Sequence, residues 1–244
     1  MHTFHFEFTQ NPILFIFPLF IILIIAAGIY SAIQNRRRRE ALFEWATMHG
    51  LNFDMARQYG FEMIWGGFQC LRQGDSDDRY AYNMITGQWQ GFPLTAFDYH
   101  YETHTTDSKG RRHTNDHYFS AAILGSPVPL KPLLIRPEGF FDKIGEFFGH
   151  DDIDFESAEF SRRFFVKAED RKWAYDVLHA RAIEFLLARP SYCIQFDARG
   201  VIVWSNALFS ADEFESAIET VLGLLEAMPD YLVKELANPA GEVN

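Results

Sequence analysis

The stretch YHYETHTTDSKGRRHTNDHYF, Tyr99 to Phe119, reads as two strands of alternating side chains around a polar turn. Four histidines lie in it, His100, His104, His113 and His117, and their placement depends on one register. A two-residue turn at Ser108-Lys109 opposes His100 to His117 and His104 to His113. All four then share a face, with Glu102 and Asn115 between them, as a surface metal site would require. Asp107-Ser108-Lys109-Gly110 instead fits a type I turn followed by a left-handed glycine, which shifts the pairing by one residue. Such a slip moves one strand's side chains to the other face. His100 and His104 then stay with Asp98 and Glu102 on a polar face, while His113 and His117 join Phe97, Tyr99, Tyr101 and Phe119. The shifted register sets Tyr99 opposite Phe119 and Phe97 opposite Ala121. The all-histidine register sets Tyr101 against Asp116 and Phe97 against Ser120. The first buries more apolar surface and is the one expected. The tip is then a solvated loop, and a pair such as His100 with Glu102 falls short of a metal site.

Strands continue on both sides. YAYNMITGQWQ and FPLTAFDYHYET flank Gly91 as a paired unit, and HYFSAAIL and PLLIRP supply two more. Further on, GFFDKIGEFFG reads as a short helix and RRFFVK as a strand. A helix from Arg171 to Arg189 starts at Asp170 and stops at Pro190, with His179 in its interior as a structural histidine. SYCIQFDARGVIVWSN is a hairpin, and a glycine-bulge turn at Asp197 to Gly200 would put Ile194, Phe196, Ile202 and Trp204 on one face. Ser210 to Glu213 is a capping box. The helix behind it carries Phe214, Ile218, Val221, Leu222 and Leu225 on one stripe, and a last short helix runs from Tyr231 to Leu236. Strands and helices do not alternate as βα units. The fold class is therefore α+β, an antiparallel sheet with packed helices. The strand order also allows a pleckstrin-homology-like barrel interrupted by a helix.

Ahead of this domain, Ile13 to Ile33 holds no charge over 21 residues, long enough for a hydrocarbon core of about 30 Å. Its length, the lack of a basic stretch before it and the run Arg36, Arg37, Arg38 and Arg39 after it argue for a transmembrane helix rather than a signal peptide. The arginines place the N-terminus outside and the following domain in the cytoplasm. They can touch anionic lipid headgroups, and their helix continues to about His49. The organisation expected is a short extracytoplasmic segment 1–12, the span 13–33, a juxtamembrane helix and connector 34–79, a cytosolic domain 80–237 and a flexible tail 238–244.

From Glu40 onward the chain has 18 basic and 32 acidic residues, an unfavourable balance for a nucleic-acid partner. Cys70 and Cys193 stand far apart with no metal-like spacing, and so sparse a use of cysteine suits a reducing compartment. HDDIDFE, residues 150–156, offers Asp151 and Asp154 to a divalent cation but lacks the glycine and spacing of a calcium loop. Arg162, Arg163 and Lys167 could pair with those acids. No phosphate loop, nucleophile elbow, HExxH or CxxC occurs, and no cofactor is implied.

LLIRPE, DDIDFESAEFSRRFFVKAEDRKWAYDVL, FLLARP and the final amphipathic helix together resemble a family of bacterial single-pass membrane-anchored proteins without assigned activity. A segment similar to GQWQGFPLTAFDYHY belongs to the same resemblance. It leads one to expect His-Pro where His179-Ala180 stands. The resemblance implies location and architecture and no catalytic residue. The functional expectation is a non-enzymatic binding or adaptor module at the cytoplasmic face of the inner membrane, with membrane lipid and an unidentified protein as partners. The alternative is a membrane-tethered, metal-dependent hydrolase built on the histidine hairpin.

Overall fold

The structure, a computed structural model, describes residues 13–139 and 153–238, and for 13–17 the backbone alone. The expected helix in GFFDKIGEFFG, the candidate ligand Asp151, the segment 1–12 and the last six residues lie outside the described residues.

Helix α1 (Ile13–Met48) runs unbroken from the apolar stretch through the arginines, and Gly50, at φ 67°, ends it. Two short strands follow, β1 (Asn52–Asp54) and β2 (Gln58–Tyr59), then a turn of helix, α2 (Phe61–Ile64). Both strands pair with β3 (Tyr80–Trp89), so the connector 34–79 is part of the sheet rather than a linker. The expected boundary at residue 80 therefore falls inside the folded unit. The reason is visible in packing: Phe61, Phe68, Cys70 and Leu71 are buried on the sheet face that carries Phe97, Tyr99, Phe119 and Trp204.

Strand β3 turns at Gln90-Gly91, both with positive φ, into β4 (Phe92–Thr106), which pairs with β5 (Arg112–Gly125). The β4–β5 register is the shifted one: Tyr99 opposes Phe119 and Phe97 opposes Ala121. Gly110 takes φ 77°, and the Asp107 carbonyl accepts from its N–H at 3.0 Å, as the bulged turn requires. Next come β6 (Leu133–Pro137), α3 (Ala158–Arg163), β7 (Phe164–Ala168), α4 (Arg171–Val177) and α5 (Ala180–Leu187). The chain then adds β8 (Cys193–Asp197), β9 (Gly200–Trp204), α6 (Ala211–Glu226) and α7 (Asp230–Ala237).

The sheet is antiparallel throughout, in the order β1-β3-β4-β5-β9-β8-β6-β7, with β2 also on β3. The path is open, with β1 and β7 at its ends, so the barrel alternative does not form among the described residues. Helices α1 and α4–α7 cover one face. Leu42, Trp45, Trp173, Phe214, Ile218 and Val221 there meet Ile85, Ala96, Ala122, Ile194 and Val203.

Three expectations change. The β8–β9 hairpin pairs Asp197 with Gly200, so Ile194 and Phe196 share a face with Val201 and Val203, while Ile202 and Trp204 face the other way. Gly200 is not the left-handed turn residue; it pairs with Gly125, and a side chain there would strike the Leu124 carbonyl oxygen. Second, the helix expected over Arg171–Arg189 breaks at Leu178. His179 caps α5: Nδ1 accepts from the Ala182 N–H, and Nε2 meets the Ala227 carbonyl at 2.9 Å. Ala180 is thus the first residue of a helix, where a proline is readily accommodated. Third, Arg163 pairs with none of the acids of the HDDIDFE run among the described residues. Its guanidinium bonds Leu187 O, Arg189 O and Ser191 Oγ, closing the end of α5.

Candidate functional site

Two polar clusters sit along the β4–β5 ribbon, and they differ in kind. The first lies at the ribbon's base. Asp98 follows Ala96 by two residues on the helix-covered face, and Arg38 precedes Leu42 by four on the facing side of α1. The two therefore meet. Arg38 Nη1 and Nη2 donate to Asp98 Oδ2 and Oδ1 at 2.7 and 2.8 Å, and Nε donates to the Phe209 carbonyl at 2.8 Å. Asp98 is fully buried. Its remaining lone pairs accept from Ser120 Oγ at 2.6 Å and Asn83 Nδ2 at 2.8 Å. Ser120 Oγ in turn accepts from Phe209 N–H at 2.8 Å. Asn83 reaches the carboxylate because β3 carries a bulge there, between Tyr82 and Ile85, with Asn83 itself at φ 47°. A fork-to-fork arginine pair with every partner satisfied joins α1 to three strands.

Arg38 was read from the sequence as a membrane flank. Its guanidinium is instead held by the domain, which leaves it no hydrogen-bonding capacity for a headgroup comparable to that of its neighbours. Arg36 is paired with Glu40 at 2.8 Å on the exposed helix surface. Among the described residues, Arg37 and Arg39 have no carboxylate partner.

The second cluster holds the histidines. His100 is buried between the rings of Tyr80 and Tyr118, with centroids 4.6 and 4.8 Å away. Its Nε2 meets Asp116 Oδ1 at 2.9 Å and its Nδ1 the Asp78 carbonyl at 3.1 Å. His104 meets Thr114 Oγ1 at 3.0 Å through Nδ1, and its Nε2 lies 3.6 and 3.8 Å from carboxylate oxygens of Asp75 and Asp78. On the opposite face His117 stacks on Tyr101 at 4.6 Å and meets Thr103 Oγ1 at 2.8 Å. His113 stands 3.5 Å from Asp107 at the exposed tip. Asp107 itself is held below the usual carboxylate range, first by the backbone N–H of Arg111, then by the Arg111 side chain and the Lys109 N–H.

The four histidines therefore do not converge. By spacing, two sets could seat a divalent cation, Asp75–Asp78–His104 and His100–Glu102–Asp116, each with a single histidine. Neither contains His113, His117 or Asp154. No pattern in the chain points to Asp75 and Asp78, because they come from a helical turn that folds back onto the ribbon, where Asp75 N–H donates to the Glu102 carbonyl at 3.0 Å. Asp116 could have been found, since the shifted register sets it diagonal to His100.

Around the base two depressions open. A groove of about 770 Å³ runs between α1 and β1, lined by Phe43, Phe53, Met55 and Arg39. A polar cleft of about 420 Å³ lies on the other side of Arg39, against the β3 bulge.

No family model and no curated protein matches the chain. A solved structure with a similar fold is the crystal structure of the mycobacterial trehalose monomycolate transport factor A, TtfA. The match has a TM-score of 0.57 at 14% identity and covers 80% of this chain and 97% of that one. At that identity the likeness is one of fold: an α+β architecture built on an antiparallel sheet behind a long apolar helix is shown for this chain. Helix α1 is long and apolar enough to cross a membrane.

Proposed function

We propose that the chain is a non-enzymatic, single-pass membrane adaptor of the bacterial inner membrane. Its N-terminus lies outside and its α+β domain at the cytoplasmic face, where it holds a protein partner against the bilayer. The observation that carries this reading is the continuity of α1. The helix leaves the apolar stretch and enters the domain's core without a linker, with Arg38 clamped by Asp98. A domain fixed in this way has a set height and orientation, which suits a platform rather than a tethered enzyme sampling substrates.

Two further features support it. The segment after β1 leaves Met55, Tyr59, Met63 and Ile64 exposed, Met63 to 83%, and these apolar side chains are available to another protein. TtfA is named as a factor in the transport of trehalose monomycolate, and an accessory role of that sort suits a chain with this fold. The family resemblance read from Leu133 onward, also part of this proposal, points to the same location.

The test uses the full chain in cells. A Lys109→Cys variant places a thiol at the exposed hairpin tip, while Cys70 and Cys193 are buried. The tip thiol is expected to react with a membrane-impermeant maleimide only after permeabilisation, and the protein to resist alkaline extraction. A photo-crosslinking residue at position 63 is expected to yield one discrete protein adduct. Labelling in intact cells would overturn the orientation. Absence of any adduct, together with stoichiometric zinc or manganese and hydrolytic turnover, would replace the adaptor by the hydrolase.

A further inference from the structure

We propose that the polar cleft between α1 and the bulged strand β3 seats the phosphate of one anionic phospholipid headgroup, with Arg39 and Arg57 as its charge partners. This rests on the reading that α1 spans the membrane, and it names which residues of the arginine region meet lipid.

Charge is the first argument. The chain carries a net charge of −11, yet no carboxylate is among the described lining residues of this cleft. Asn35, Arg39, Arg57, Tyr82 and Tyr118 line it, over a floor of Asn83 and Arg38. Arg38 is neutralised by Asp98 below it, so the charge facing the space is that of Arg39 and Arg57. Neither has a carboxylate partner among the described residues, and Arg57 is braced over the Tyr80 ring at 4.4 Å. The neighbouring groove differs, with Glu40, Glu44 and Asp54 in its wall.

Depth is the second argument. The apolar stretch ends at Ile33. At a rise of about 1.5 Å per residue, Asn35 lies roughly 3 Å and Arg39 roughly 9 Å beyond it along the helix axis. The headgroup layer of a leaflet is about 5–8 Å thick. The rest of the cleft comes to that level because Trp45 stacks on Trp89, the partner of Phe92 at the start of β4, while Arg38, seven residues earlier on α1, holds Asp98 farther along β4, so that Tyr118, opposite His100, lies on the span side of that pair. Asn35 and Tyr118 lining one space is the direct expression of this.

Chemistry is the third. Two guanidiniums and the donors of Asn35, Tyr82 and Tyr118 are what a phosphodiester needs, and a zwitterionic choline would meet two like charges. The phenol of Tyr82 stays a donor, because burial and then the Asp98 carboxylate push its ionisation up.

The experiment is native mass spectrometry of the full chain released from detergent micelles after titration with phosphatidylglycerol or phosphatidylcholine. One phosphatidylglycerol per chain is expected to be retained, with at least tenfold preference. Arg39→Gln and Arg57→Gln are each expected to reduce retention at least fivefold. Arg37→Gln, the same charge two residues earlier on the same exposed helix, is expected to leave it unchanged. A loss in Arg37→Gln equal to that in Arg39→Gln would overturn the cleft in favour of diffuse attraction. Displacement of the lipid by inorganic phosphate or glycerol phosphate at matching concentration would overturn the lipid and leave a soluble anion site. Failure of α1 to span would show separately, as release by alkaline extraction, while lipid selectivity in micelles remains readable.

Discussion

The base and the tip of the β4–β5 ribbon share two strands and one register, yet they use polar residues in opposite ways. At the base, Asp98 and Ser120 oppose each other and are fully buried, with Arg38 arriving from a helix 60 residues earlier in the chain. At the tip, His104, Asp107 and His113 make local contacts within the hairpin or to the nearby turn, and none is fully buried. The difference teaches that the polar face of a strand is not the same thing as a solvated face. Desolvating an ion pair costs several kcal/mol per charge, and only complete hydrogen bonding makes the base tolerable. The tip carries no such cost and gains little.

Breaking the base is therefore expected to have the largest effect. Asp98→Ala strands a largely buried guanidinium, and Arg38→Ala strands a fully buried carboxylate. Each is expected to lower stability by about 3–5 kcal/mol in denaturant titrations of the detergent-solubilised chain. The double replacement Arg38→Met with Asp98→Leu is expected to cost less than the sum of the two single losses, since apolar residues of similar volume can fill the site. Additive losses would mean that the pair does not act as a unit.

An intermediate effect is expected at Asp170, where an ion pair and a helix cap coincide outside the ribbon. Asp170 accepts from the Trp173 N–H at 3.1 Å and from Lys131 Nζ at 2.8 Å. The Lys131 hydrogen bond, then the Trp173 N–H, hold its carboxyl below the usual range. A lowered folded value means that the stabilisation is present above about pH 4 and vanishes as the pH falls through that lowered value. Asp170→Ala is expected to cost about 1 kcal/mol at neutral pH. The gap from the parent protein should close in acid; a gap that persists at pH 2 would assign the loss to packing instead.

The smallest effect is expected at the tip. His104→Ala and His113→Ala should each change stability by no more than about 0.5 kcal/mol. A larger loss at His104, reversed by added zinc, would turn the Asp75–Asp78–His104 set into a metal site and blur the contrast between base and tip.

Legibility in the sequence followed the same divide. Alternation and the Asp-Ser-Lys-Gly turn were enough for the β4–β5 register, because one of the two candidates buried Tyr99 against Phe119 and the other did not. The β8–β9 register was not legible, because both faces of that hairpin are buried and every register looks apolar. Gly200 resembles a turn glycine in sequence, while its need is set by the Leu124 carbonyl of a strand some 75 positions earlier. The capping box at Ser210 and Glu213 formed as read, since all of its partners lie within four residues. Arg38 was hidden in a run of four arginines. Only the packing of Leu42 and Trp45 on the sheet selects which arginine faces Asp98. The break at His179 likewise depends on a distant acceptor, the Ala227 carbonyl.

The most direct measurement is amide hydrogen exchange across residues 38–48 in the full chain held in lipid nanodiscs. If α1 and the domain form one unit, these amides exchange as slowly as those at the base of β4 and β5, and Asp98→Ala speeds both segments together. Fast exchange over 38–48 beside a protected sheet, or protection indifferent to Asp98, would contradict the account.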